Sequence, residues 1–257
     1  MAKVDLDKLF NSPQPKPDWI VKDLISSGQM ITFGGEAAIG KSIFSYHMAM
    51  CISSGRNFLG KKTRLGNVVT FDEENGGPEL RRYLWDAWDG LDRPDIATLG
   101  ARMRIESFSL ASERDPYATM RAVVSEHKPI LIVIDTVTPV CRLASENDNA
   151  EATAAFQKLR GVKAEADPEA AMILLKHTRR DEEGNISIRG AKAWVGASDG
   201  MWIHHANKGR KRKDGLRNTF IRPEKVRAYG LPFEIKIEPL RTARGGLTLN
   251  CDWIPVE

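Results

Sequence analysis

Residues 35–42 read Gly-Glu-Ala-Ala-Ile-Gly-Lys-Ser, two glycines with four residues between them and a lysine–hydroxyl pair directly after the second. The stretch follows Met30-Ile-Thr-Phe33, an apolar run of strand character, and leads into Ser42–Ser53, whose pattern is helical. A chain that turns from strand to helix through such a segment is confined to a tight bend. Glycine at each end lets backbone N–H groups point inward, where they and the helix N-terminus attract anionic oxygen. Gly35, Glu36, Ala37, Ala38, Ile39, Gly40, Lys41, Ser42 and Ile43 are therefore the expected phosphate cradle. Lys41 is expected to reach the outer phosphates, and the Ser42 hydroxyl to ligate Mg²⁺.

The surrounding pattern alternates. Asn67–Phe71, Arg102–Phe108, Ile130–Ile134 and Ala171–Leu175 read as strands, and Leu80–Gly90, Pro116–His127 and Asn149–Ala166 as helices. Such alternation predicts an α/β fold with a mainly parallel central sheet flanked by helices. From Gly200 onward the pattern changes to strands joined by short turns, at Met201–His205, Asn218–Ile221, Phe233–Pro239 and Leu247–Cys251, which predicts C-terminal antiparallel hairpins. Three prolines in Asn11–Asp18 mark residues 1–20 as an arm; 21–240 is the expected core and 241–257 a C-terminal tail.

A length of 257 residues with 42% hydrophobic and 28% charged residues fits one globular domain. The three cysteines are far apart, which suggests neither a disulfide framework nor a zinc site. The charged N-terminus and the lack of a long apolar run predict a cytoplasmic protein with no membrane partner. The net charge of +4 is mild, but it is concentrated: nine basic residues against two acids lie between Ala206 and Arg227. Lys208–Gly215, with Arg210, Lys211, Arg212 and Lys213, is expected to cap a hairpin attractive to a phosphate backbone; the alternative is a solvated turn.

The apolar strand through Ile134 ends in Asp135, the expected second Mg²⁺ ligand. Thr136 follows it, so a base that activates water must come from elsewhere, and Asp72-Glu73-Glu74 after the preceding strand offers three carboxylates.

Together these pieces resemble the RecA-like ATPases, and within them the plasmid RepA and DnaB-type replicative helicases. The resemblance spans roughly Asp18–Glu238 and implies ATP and Mg²⁺ as cofactors. It carries the catalytic role to Glu74 in Phe71-Asp-Glu-Glu74-Asn, and γ-phosphate sensing to His177 at the end of Ile173-Leu-Leu-Lys-His177. Residues Thr178–Trp194, with Arg179, Arg180, Arg189 and Lys192, resemble a loop that contacts DNA. Lys225-Val-Arg227 resembles the paired cations that reach the nucleotide of an adjacent subunit. Single-stranded DNA and a homo-oligomer, a hexameric ring, are the partners so implied. The same core also serves filament-forming recombination ATPases and nucleotide-gated loaders with little turnover, and these alternatives stay open at this point. Trp194, Trp202 and Phe220 are expected in the core, with Trp194 the candidate to stack on an unpaired base.

Overall fold

The computed structural model describes residues 5–13, 16–107, 113–145, 148–167, 169–180, 186–188, 192–206, 212–226 and 233–255. In chain order the elements are α1 (Leu6–Asn11), β1 (Trp19–Val21), β2 (Ile25–Ser26), β3 (Met30–Gly35), α2 (Lys41–Ser54), β4 (Val68–Asp72), α3 (Gly77–Gly90), α4 (Ile96–Arg102), β5 (Met103–Glu106), α5 (Pro116–His127), β6 (Leu131–Asp135), α6 (Val137–Val140), α7 (Asn149–Ala166), β7 (Ala171–Arg180), β8 (Ile186–Ile188), α8 (Lys192–Ala197), β9 (Gly200–His205), β10 (Thr219–Val226), β11 (Phe233–Arg241) and β12 (Leu247–Pro255). Strands β1 and β2 form a small antiparallel pair, and the rest build one sheet in the order β12-β11-β10-β9-β3-β7-β6-β4-β5, with β8 paired to the end of β7. From β9 across to β5 every pairing is parallel; from β9 outward to β12 every pairing is antiparallel. This is a RecA-like α/β core continued by C-terminal antiparallel strands, as the pattern predicts.

The continuous apolar runs of β6 and β7 are covered on both faces, which is why they do not alternate with polar residues. Ile173 and Leu175 point into the core shared with α2, and Met172 and Leu174 into the core shared with α5 and α7. Helix α2 is buried nearly all round, between the sheet on one side and α3 and α4 on the other. Helices α5 and α7 start where short carboxylates cap them: Asp115 accepts from Tyr117 and Ala118 N–H, and Asp148 from Ala150 and Glu151 N–H. The capping residue sets where each helix begins, and the buried faces then decide its packing.

Residues 241–257, set apart in sequence as a tail, supply β12, paired with β11 from Leu247 to Pro255. The segment closes one edge of the sheet and is clamped to α3 through Asp89. That carboxylate accepts hydrogen bonds from the Thr242 hydroxyl, from Gly246 N–H at 3.2 Å and from Arg244 Nε at 2.7 Å, and also pairs with Arg93 at 2.9 Å. The Thr242 bond leads the effects holding Asp89 well below the usual carboxylate range. Close approach here needs glycine, because a Cβ on Gly90 would stand 1.7 Å from the Leu247 carbonyl oxygen. Trp194 is fully buried, packed edge-on to Phe156 with Lys176 Nζ 4.8 Å from its ring centre. It belongs to the core, and its candidacy for stacking on a base falls.

Two predictions follow from this packing. Gly90→Ala forces α3 and β12 apart and is expected to cost about 1–3 kcal/mol, as overpacking does, read as a lowered urea midpoint. Burial pushes His47 down to about 4, against a hydrogen bond to the Leu247 backbone, and His204 down to about 3. Both folded-state values lie below the ordinary 6.5, so on acidification the unfolded chain takes up these protons first and the two histidines lower stability as pH drops below 6.5. The expected slope is at most about 1.4 kcal/mol per pH unit for each histidine. Urea denaturation of wild type and His47→Gln between pH 7.5 and 5 checks it: Asp135, raised to about 7, acts in the opposite sense in both proteins, so the difference between them isolates His47 and should be up to about 1.4 kcal/mol per pH unit.

Candidate functional site

The site forms where β3, β6, β4 and β7 end on the same edge of the sheet, the place where open parallel sheets bind ligands. Gly35 is level with His177 of β7, and Asp72 of β4 is level with Asp135 of β6. The loop from Gly35 to Gly40 turns back through Ala38 at φ 57° and Gly40 at φ 107° before α2 starts at Lys41. A Cβ on Gly35 would lie 2.9 Å from Ile39 Cγ2 and 3.1 Å from Lys41 Cδ, so glycine is what lets the loop close on itself.

Lys41 is buried and donates from Nζ to the carbonyl oxygens of Gly35 at 3.1 Å and Glu36 at 3.0 Å. Burial lowers its pKa, while the charges of Glu74 and Asp135 act the other way. Asp135 ends β6 next to Ser42. Burial pushes this carboxyl up to about 7, the nearby Ser42 hydroxyl opposes that rise, and the neighbouring charges of Asp72 and Glu74 add to it. The peptide bond from Asp135 to Thr136 is cis.

Asn75, directly after the three acids, is the side chain that ties the site together. Its Nδ2 donates to Asp72 Oδ2 at 2.9 Å and lies 3.4 Å from Asp135 Oδ2 and 3.5 Å from Ser42 Oγ. Asp72 is fully buried and also accepts from the Tyr46 hydroxyl, from Glu74 N–H at 3.0 Å and from Asn75 N–H at 2.9 Å. A carboxylate with so many donors holds the turn, while Glu74, two residues on, is exposed. Burial first, and the Asp72 charge second, pushes the Tyr46 hydroxyl far above its ordinary range, so it stays a donor. Glu74 Oε1 stands 3.5 Å from His177 Nε2, with both side chains partly open to solvent.

The structure thus brings together Lys41 and Ser42 of α2, Glu74 from the turn after β4, Asp135 of β6 and His177 of β7. Asn75 and Tyr46 were missed as site residues. An Asx residue closing an acidic turn is a readable signal for Asn75, whereas nothing in the sequence distinguishes Tyr46 from other residues of a buried helix.

The remaining expected residues lie away from this centre. Lys225 sits on β10 opposite Met201 and donates to the carbonyl oxygens of Val195 and of Gly196, the latter at 3.2 Å. It is three residues from the His204 level of β9, about 10 Å at strand rise, so it does not serve its own phosphate loop. Arg179 is exposed on the β7–β8 hairpin opposite Ser187, and Lys192 is exposed at the start of α8. Lys213 is exposed on the turn before β10. Arg212 is held by Asp214 at 2.7 Å and Glu238 at 3.1 Å, which offsets its charge within the hairpin. Arg180 has a described backbone only; Arg189, Arg210, Lys211 and Arg227 lie outside the described residues.

Mg·ATP fits these residues. Asp135 Oδ1 is buried without a hydrogen-bond partner beside the Ser42 hydroxyl, an oxygen pair suited to a hard cation and its waters. Lys41 Nζ, at the loop carbonyls, can exchange them for phosphate oxygens. When bound, the ion supplies charge neutralisation at the outer phosphates. Glu74 is open to solvent and stands next to His177.

Three outcomes are expected. Lys41→Ala abolishes Mg·ATP binding by calorimetry. Glu74→Gln keeps binding but lowers turnover by about 10²–10⁴, the range for losing a general base, in a phosphate-release assay. Asn75→Ala strips buried Asp72 of a donor and costs about 1–3 kcal/mol in urea unfolding, together with a loss of turnover.

No helix among the described residues is long and apolar enough to cross a membrane. Among curated proteins none matches the chain. A family model described as an AAA domain matches residues 1–183, a stretch that takes in the phosphate loop, the acidic turn, Asp135 and His177. Covering more than half of the sequence and every residue that the structure gathers at this edge of the sheet, the match shows that the chain belongs to the AAA domain family of P-loop ATPases.

Proposed function

We propose that this P-loop ATPase is a ring-forming DNA helicase or translocase of the RepA and DnaB type, acting in DNA replication. The observation that carries the reading is the 3.5 Å approach of Glu74 and His177. One side chain is placed to activate water. The other sits on β7, which runs on without a break to Arg179 and the β8 hairpin. A change of charge at the outer phosphate position alters the partner available to His177, and a stiff strand carries the result to an exposed cation. A motor needs such a link between hydrolysis and its grip on a phosphate backbone.

Two further features support the reading. The basic residues around the β9–β10 turn, including exposed Lys213, suit a polyanion held without reading its sequence. Lys225 lies well away from its own phosphate loop, as is required of a cation that completes a neighbour's site. A cation supplied across an interface stabilises charge on the transferring phosphoryl group, and repeated head-to-tail contacts of that kind close into rings.

Turnover per chain is therefore expected to rise with protein concentration and to rise again with single-stranded DNA, while His177→Ala binds Mg·ATP but loses the DNA stimulation. Steady-state hydrolysis across a dilution series, run beside an unwinding assay on forked DNA, measures both. Full activity of a monomer, indifferent to DNA, would defeat the proposal. A filament on single strands in electron micrographs, without unwinding, would move the protein to the recombination class.

A further inference from the structure

Away from the phosphate loop, the C-terminal half of α2 and the turn after it lie against β12, the strand that closes one edge of the sheet. Between them is a cavity of about 500 Å³. That volume falls within the range of roughly 300–1,000 Å³ that small ligands occupy. Phe58, Leu59, Leu91 and Leu249 give it apolar walls. It shares Leu249 alone with the space between the phosphate loop and His204. The residues that β11 and β12 give it lie beyond residue 183, where the AAA family match ends.

His47 gives this cavity its chemistry. It lines the wall, is 2% exposed, and its Nε2 has no hydrogen-bond partner. The Leu247 backbone acts on the imidazole in the direction that favours the protonated ring, as a carbonyl oxygen accepting from a ring N–H does. The proton is therefore on the nitrogen turned toward Leu247; burial keeps the ring neutral, and Nε2 is left as a bare acceptor. A buried acceptor costs stability until a donor reaches it. The neighbouring thiols are turned elsewhere, Cys51 Sγ donating to the Asn57 carbonyl and Cys251 Sγ to the Leu59 carbonyl, each at 3.3 Å.

The lining also selects charge. Among the described residues no lysine or arginine lines the cavity, whereas Glu238 and Asp252 do. Each carboxylate holds one cation, Arg212 at 3.1 Å and Lys236 at 3.2 Å, and each is open to solvent with lone pairs to spare. Anions are disfavoured here, which sets the cavity apart from the phosphate loop. A molecule that fits has a flat apolar body for Phe58 and Leu249, an N–H for His47, and a cationic end for the carboxylates.

We propose that this cavity is a second small-molecule site, for an arylalkylamine whose ring N–H bonds to His47 Nε2 and whose ammonium group meets Glu238 or Asp252. Nothing in it depends on hydrolysis at the loop. One wall is α2, the helix that starts with Lys41 and Ser42, so an occupant touches the element that carries the phosphate site and leaves that site open.

Tryptamine, with an indole N–H and an alkylammonium on one small frame, is the probe. Calorimetry on the full chain is expected to give a Kd of about 1 mM or tighter, the efficiency usual for a molecule of that size. His47→Phe, which keeps a ring and removes the acceptor, is expected to weaken binding about tenfold. Asn250→Trp, at an exposed position of the lining, closes the mouth and is expected to weaken it at least as much, with an unchanged circular dichroism spectrum. Saturating Mg·ATP is expected to leave the tryptamine Kd within about twofold. Absence of binding up to about 10 mM, binding untouched by both substitutions, or one-for-one competition with Mg·ATP overturns the proposal. Nitrogen-15 spectra of the wild type decide it without a variant: the His47 Nε2 resonance moves upfield as its lone pair accepts the indole N–H, and a resonance that stays in place at saturating tryptamine overturns the site.

Discussion

A lysine and an aspartate are buried together at one edge of a parallel sheet, and much of the molecule is arranged so that they can be. Lys41 and Asp135 are each almost without exposure. Either charge would be costly alone in a dry environment, and Lys41 is satisfied only by carbonyls that a folded loop presents to it. The loop in turn holds its shape because β3 is flanked by parallel strands whose ends are level with its own. The same burial that raises the carboxyl pKa of Asp135 makes it a receptive ligand for a cation, since a metal supplies the positive charge that the protein interior withholds.

Around this pair, hydrogen bonds fix the reactive groups at different depths. Asp72 lies lowest, saturated by Tyr46, Asn75 and two backbone N–H groups, and so acts as the anchor of the acidic turn. Glu74, two residues on, is held at the surface of the site facing His177. Asp72 and Glu74, carboxylates of similar intrinsic acidity, are thus set at different depths by which donors reach them. The turn leads directly into α3, and the far end of α3 is gripped by the C-terminal hairpin through Asp89. The acidic turn and the last strand of the sheet are therefore joined by one helix.

Much of this was legible in the residues. The alternation of strands and helices is a local property of apolar spacing, so the order of elements and the parallel core follow from it; the expected helix Asn149–Ala166 and the observed α7 have the same ends because Asp148 caps one and an aspartate follows the other. Strand β7 runs on to Arg180, past the expected end at Leu175, because β8 pairs with its polar half. The continuation could not be read locally, since residues 176–180 are polar and gain strand character only from a partner. Likewise residues 241–257 carry weak strand signals, and only pairing with β11 and the Asp89 clamp make them a working edge of the sheet.

What the sequence determined by itself is the chemistry available: a glycine-bounded loop with Lys41 and Ser42, an aspartate ending an apolar strand, acids after another, and a histidine ending a third. Loop bending and strand formation depend on neighbours in the chain, and these are written in order. What tertiary structure alone decided is which of those groups meet. Glu74 and His177 are 103 residues apart and touch because β4, β6, β7 and β3 pair in register. The different burial of Asp72 and Glu74, and the space between the loop and His204, likewise arise from pairings among distant segments, and burial is a property of the folded whole that no single stretch of residues encodes.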